Sequence, residues 1–328
     1  MKMRKRVTEE RPGPSHEQMS YKLLTYQAGR DARAGVLVGE SVFDAAKLTG
    51  SAAHSSVLGV LADWAKASRA LAQASKSIAA GKSRAKGTPL ARVKLLAPIL
   101  YPGAIFCAGA NYRDHAEEMA RVAGTPLEKD QRELGLSPWH FIKTARGSVV
   151  GPGVQVTLPA YSKMVDWEVE LAAVIGRPAR NVPVERALDY VAGYTIANDL
   201  SARDVMKRPH LPESSPFKVD WLSQKCFDGS CPLGPWITPA STIPDPQKLG
   251  MKLWVNDELM QDSHTSRMIF STAEQIAQLS TRVTLAPGDL VLTGTPAGVG
   301  MALKRFLKPG ETVRLWIENI GELRNTMA

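Results

Sequence analysis

Apolar positions in this chain fall mostly into short runs separated by turn residues, and long helical stripes are few. Extended segments are predicted at Lys22–Tyr26, Ala34–Val38 and Ser41–Phe43, between Gly and charged turns. Residues 56–80 read as one helix, because Val57, Leu58, Leu61, Trp64, Ala65, Leu71 and Ile78 give an apolar stripe in an alanine-rich segment. Gly81, Gly87 and Pro89 end it. From residue 99 the pattern changes to recurring β-like runs: Ile105–Ala108, Val154–Leu158, Glu168–Ile175, Gly193–Ala197, Lys252–Val255, Leu290–Thr293 and Val313–Ile317. Turn signals such as Gly151-Pro152-Gly153, Pro287-Gly288-Asp289 and Pro309-Gly310-Glu311 lie between them. The prediction is a frayed tail at 1–20, a small α+β module at 21–98 and a larger domain at 99–328. That domain is mixed but mostly β and not a doubly wound α/β fold.

Composition adds little to this picture and excludes some classes. With 44% hydrophobic and 22% charged residues, the chain is an ordinary globular one and not a disordered one. The longest apolar stretch, Leu95–Ala110, is interrupted by Pro98, Pro102, Gly103 and Gly109, which argues against a membrane span. No apolar segment follows Lys2, Arg4, Lys5 and Arg6, so the expected location is cytoplasmic, with no membrane partner. The net charge of +9 is local: Lys66, Arg69, Lys76, Lys82, Arg84, Lys86, Arg92 and Lys94 account for all but one unit of it. Such a strip reads first as a solvated helix face and loop, and only second as a surface for an anionic partner such as nucleic acid. Cys107, Cys226 and Cys231 have no metal spacing and read as buried reduced thiols.

Four segments carry candidate chemistry. In Asp166-Trp167-Glu168-Val169-Glu170-Leu171, strand alternation puts Glu168 and Glu170 on one face, with Val169, Leu171 and Ala173 turned into a core. Two such carboxylates need a cation, a shared proton or full solvation. In Ala197-Asn198-Asp199-Leu200-Ser201, an apolar run stops at Asp199, and Ser201 is placed to cap a following helix. Three carboxylates without His or Cys would form an oxygen-only site suited to Mg²⁺ or Mn²⁺, with Ca²⁺ a poorer Lewis acid. In Asn111-Tyr112-Arg113-Asp114-His115-Ala116-Glu117-Glu118, Asn111 can cap a helix on which His115 and Glu118 share a face. A carboxylate that orients an imidazole makes a base for activating water; a surface pair is the ordinary alternative. Leu292-Thr293-Gly294-Thr295-Pro296-Ala297-Gly298 lacks a phosphate-loop ending and reads as a tight turn, with Thr295 able to meet a ligand. Lys143 and Lys225 stand alone and would ordinarily be surface residues.

In this order, the segments resemble the fumarylacetoacetate hydrolase family in its shorter, bacterial-type branch. Gly109–His115, Val149–Gly153, Asp166–Leu171, Ala192–Asp204, Pro232–Trp236 and Leu292–Gly300 carry the resemblance, which covers about 99–325. It implies the family's C-terminal-domain β-roll or β-sandwich fold, commonly as a homodimer. It also implies Mg²⁺ or Mn²⁺ on Glu168, Glu170 and Asp199, and a small oxo-acid substrate, often from breakdown of aromatic compounds. His115 oriented by Glu118 would activate water for carbon–carbon cleavage of an acylpyruvate-like 1,3-diketo acid. Lys225 and Thr295, and more loosely Lys143, match positions near the substrate, with Arg113 beside the histidine. Residues 111–135 match a lid.

The chain departs from the long-branch pattern at two positions. Ala108 stands where a fourth carboxylate ligand is expected, and Met206 replaces a glutamine near the substrate. The segment Lys207–Trp221, with Pro209, Pro212 and Pro216, is longer than the short branch usually has and would reshape the pocket mouth. Decarboxylation, isomerisation or tautomerisation of a 2-oxo dicarboxylic acid on the same metal site is the alternative chemistry. A nucleic-acid-binding protein using the 66–95 strip is the distant one.

Overall fold

A computed structural model describes residues 21–127 and 129–328; the predicted tail at 1–20 lies outside them. Strands dominate, as the run lengths predicted, and of the seven α-helices among the described residues only Trp64–Ala79 exceeds eleven residues. Among the described residues the main sheet has twelve strands. Its order runs from Thr88–Pro89 through Ser41–Asp44, Asp31–Val38 and Lys22–Ala28 to Cys231–Pro239, Val191–Asn198 and Val169–Ile175. It then continues to Leu290–Leu292, Ile105–Ala108 and His140–Lys143. A five-stranded sheet is built around Gly250–Val255 and Thr312–Ile317.

The central strand Val169–Ile175 explains the layering. Val169, Leu171, Ala173 and Ile175 pack with Met251, Leu253, Val313 and Leu315 of the five-stranded sheet. Ala172 and Val174 pack on the other side with Ile237, Leu290, Leu292, Val60, Leu61 and Leu71. The expected alternation holds. However, the strand is not half-buried: every residue in it is buried, because helices of the N-terminal segment cover the second face. Such two-sided burial favours a near-continuous apolar run, which Val169–Ile175 provides apart from Glu170.

Three local expectations need correction. The predicted helix at 56–80 is two helices, Val57–Ala62 and Trp64–Ala79. Ser56 caps the first through Gly59 N–H, and Asp63 leaves helical geometry with its carboxylate 3.4 Å from His54 Nε2. Ser201 caps no helix: Ser201–Ala202 pairs with Val165–Asp166, and only a single 3₁₀ turn follows at Arg203–Val205. In the predicted Val154–Leu158 run only Gln155–Val156 forms a strand. All eight basic residues of the 66–95 strip lie at least partly open to solvent. Cys107 and Cys231 are buried thiols and Cys226 is half-buried.

His140, opposite Ala108 on the outer strand, has a burial-depressed pKa of about 4, only partly offset by Gln275. The unfolded chain therefore takes up a proton near pH 6.5 that the folded chain refuses until about pH 4. This contribution to stability is complete above pH 6.5 and is lost as pH falls through that window. Discounting for the ring's partial exposure, it amounts to about 2 kcal/mol. Urea unfolding of His140→Gln at pH 7 and pH 4.5 should show a smaller acid loss than the parent chain. An identical loss in both would remove His140 as the cause.

Candidate active site

Strand register assembles the carboxylates. Antiparallel pairing sets Val169 opposite Asn198 and Glu170 opposite Ala197, so Glu168 and Asp199 meet where the two strands end. Asn198 Oδ1 accepts from Glu168 N–H, and Asp199 N–H donates to the Glu168 carbonyl at 3.0 Å. One oxygen of each of Glu168, Glu170 and Asp199 lies within 4.8 Å of the other two, and all three residues are buried.

Cations surround this cluster. Lys225 Nζ donates to Glu168 Oε2 at 2.9 Å and to Asp199 Oδ2 at 2.6 Å. Lys143 Nζ donates to Asp199 Oδ1 at 2.6 Å and to the Leu200 carbonyl. Arg203 bridges Asp166 at 2.8 Å and Glu168 at 2.5 Å. Four carboxyl groups thus face three cations. Burial alone would raise Glu168, but Lys225 and Arg203 reverse that and hold it at about 2. Burial, with Asp199 and Glu168 beside it, pushes Glu170 well above the usual carboxylate range. Burial opposes the charge on Lys225, yet Asp199 and Glu168 outweigh it and raise its pKa.

Glu170 is the group without a cation. Its hydrogen bond comes from Gly294 N–H to Oε2 at 2.7 Å, and among the described residues it has no ion pair. An all-oxygen donor set with one surplus negative charge fits a hard divalent cation. The glycine-rich turn places that N–H donor. Thr293 and Thr295 hydroxyls donate to the Leu171 and Val169 carbonyls and pin the turn along the strand.

The same turn holds the His115–Glu118 pair. Glu118 accepts Gly298 N–H on both carboxylate oxygens, at 3.0 and 2.9 Å. A Cβ on Gly298, where φ is +96°, would lie 2.0 Å from the Met260 carbonyl, so glycine is required there. Burial pushes Glu118 up, but His115 and the Gly298 N–H outweigh it and hold the carboxyl below its usual range. His115 Nδ1 sits 3.8 Å from Glu118 Oε2, on the shared face of the Arg113–Ala123 helix. Asn111 does not cap that helix. Its amide instead bonds the Phe270 and Thr293 backbones and fastens the helix entrance to the turn.

A cavity of about 140 Å³ gathers His115, Glu168, Glu170, Arg203, Lys225 and Thr295. Asp199 and Lys143 lie buried behind it. Arg113 and Met206 are not among its lining residues; the Arg113 guanidinium faces Asp130 at 3.5 Å. Sequence reasoning gave no role to Arg203 or Asp166, nor to Trp139, Phe141 and Trp221, which also line the cavity or brace it. A signal existed for Arg203: carboxylates set in apolar runs require nearby cations, and Arg203 follows Asp199 closely. Lys143, expected at the surface, is buried for the same reason.

The model of the fumarylacetoacetate (FAA) hydrolase C-terminal family matches residues 104–328. A mitochondrial oxaloacetate tautomerase of Xenopus laevis is 43% identical over 235 residues, covering 71% of this chain and 68% of its own. Maleylpyruvate hydrolase of Sphingobium sp. SYK-6, solved with manganese(II) ion and pyruvate, superposes with a TM-score of 0.70 at 29% identity. That match covers 94% of this chain and 98% of its own. A 2-hydroxyhepta-2,4-diene-1,7-dioate isomerase of Mycobacterium marinum superposes with a TM-score of 0.66 at 30% identity, with coverages of 94% and 98%.

The charge balance makes Lys225 a test of the cluster. Lys225→Met leaves four carboxyl groups against two cations and should destabilise the metal-free protein by about 3–5 kcal/mol. Mg²⁺ or Mn²⁺ should restore much of the loss in a thermal melt, through binding to the folded state. A metal-free melt unchanged by the substitution would contradict this reading of the cluster.

Proposed function

The chain belongs to the fumarylacetoacetate hydrolase family, and on that footing we propose that it is a divalent-metal enzyme interconverting the enol and keto forms of a small 2-oxo dicarboxylic acid, such as oxaloacetate. The observation that carries the reading is the shared cavity: an acid–base histidine, two cations with unused N–H groups and the edge of a carboxylate cluster open onto one small space. The tautomerase named among the relatives, at 43% identity, supports the same chemistry.

Glu168, Glu170 and Asp199 would hold Mg²⁺ or Mn²⁺. A divalent ion there supplies Lewis acidity, drawing electrons from a 2-oxo group and acidifying the neighbouring C–H. The protein's own side chains do the remaining work. Lys225 uses two of its three N–H groups on Glu168 and Asp199 and keeps the third for a substrate oxygen. Arg203 directs Nε and one Nη2 hydrogen to Asp166 and Glu168, which leaves further donors for a substrate carboxylate. With Nδ1 turned to Glu118, the His115 Nε2 is the nitrogen free to take a proton from the carbon beside the 2-oxo group and return it to oxygen. The net change is a proton shift, with no water consumed.

A second reading, hydrolysis of an acylpyruvate, is favoured by the same His115–Glu118 pair, which suits activation of water, and by the likeness to a maleylpyruvate hydrolase. The experiment separates the two. Enol absorbance of oxaloacetate should decay faster with enzyme and Mg²⁺ or Mn²⁺, and His115→Ala should slow this by about 10²–10⁴-fold. Glu168→Gln should abolish both activity and metal binding in calorimetry. Acetylpyruvate in ¹⁸O-water should yield no labelled acetate; label in the acetate would replace tautomerisation with hydrolysis. Wild-type rates in His115→Ala, or without metal, would sink both.

A further inference from the structure

Three aromatic rings complete the cavity lining and touch one another. Phe141 and Trp221 stack with centroids 5.4 Å apart and planes at 16°, and Trp139 lies 4.9 Å from Trp221 and 5.7 Å from Phe141. The array has an inner and an outer end. Phe141 faces Lys225 Nζ at 4.9 Å, and that ammonium is bonded to Glu168 and Asp199. Trp139 and Trp221 are 41% and 36% exposed, at the solvent side. The ring wall therefore reaches from the Lys225 ammonium at its inner end to solvent at its outer end, with the rings in mutual contact.

The rings are held from separate elements. Trp139 and Phe141 flank His140 at the start of the outer strand, and Trp221 opens the Trp221–Lys225 helix. Asp220 caps that helix through Ser223 N–H, so Trp221 stands one turn from Lys225 on the same face. Trp139 lies flat on the backbone at Gly109, where an added methyl would fall 1.9 Å from a ring carbon. The Trp139 carbonyl accepts Gly109 N–H, which fixes that approach.

We propose that Trp139 and Trp221 form a gate that sets the length of acid this site accepts, passing short 2-oxo acids and rejecting those with an extended acyl tail. The inference rests on the oxo-acid reading of the cavity. A short acid ends before the gate, whereas a long one must push the touching rings apart and expose their apolar faces.

The test compares Trp221→Ala and Trp139→Ala with the parent chain, following enol–keto interconversion of acetylpyruvate and hexanoylpyruvate with Mn²⁺. For each protein the ratio of kcat/KM for the long acid to the short one is measured, and the same ratio is taken for affinity by calorimetry. Both substitutions, though on different elements, should raise the ratio by about tenfold or more, and Trp221→Phe should raise it less. A proportional loss on both acids would show a merely structural role and overturn the gate, as would a parent chain that binds both equally well. If neither acylpyruvate turns over, the calorimetric ratio decides the gate by itself, and oxaloacetate turnover decides the oxo-acid chemistry.

Discussion

Everything around the cavity answers to one electrostatic constraint: four carboxyl groups cannot all stay ionised out of water against three cations. Glu168 and Asp199 are satisfied by Lys225, Lys143 and Arg203, and Asp166 by Arg203 and backbone N–H groups. Glu170 is left over, and burial raises its proton affinity accordingly. A proton on Glu170 closes the balance, whereas a divalent cation among the three oxygens would carry it from −1 to +1, a charge suited to an anionic ligand.

That constraint reaches into the fold. The pairing of Val169–Ile175 with Val191–Asn198 sets which carboxylates meet, and a one-residue slip would send Glu170 to the opposite face. Two packed layers hold the register, one on each side of the strand. The Thr293–Gly298 turn then links the carboxylate cluster to the His115–Glu118 pair. A single short segment gives an N–H to Glu170 and another to Glu118, so the two carboxylates are positioned by one piece of backbone.

Much of this was legible in the sequence. Run lengths gave the mostly β character, and the ordered motifs placed Glu168, Glu170, Asp199, His115 and Glu118 before any geometry was known. The features that were not legible depend on tertiary partners. Lys143 in a short β run looks like any exposed lysine until Asp199 is set against it. Ser201 has the chemistry of a helix cap, but its hydroxyl serves Glu168 and the Asp199 carbonyl instead. Asn111 likewise reads as a cap and turns out to be a cross-link between chain segments far apart in sequence. The aromatic array was invisible because Trp139 and Trp221 are brought together only by folding. In each case a short-range propensity lost to a long-range partner.

The Lys207–Trp221 segment closes on itself. Lys207 bridges to Val219, and Asp220 N–H bonds the Met206 carbonyl, so its two ends leave the body side by side. A segment anchored in this way can lengthen, shorten or change its tip at small cost in chain entropy, without moving the carboxylates or their cations. Its last residue nonetheless reaches the cavity. The cavity mouth is thereby open to change independently of the carboxylate cluster. Editing this one surface excursion would alter the cavity mouth at Trp221 while leaving the carboxylate cluster and its cations intact.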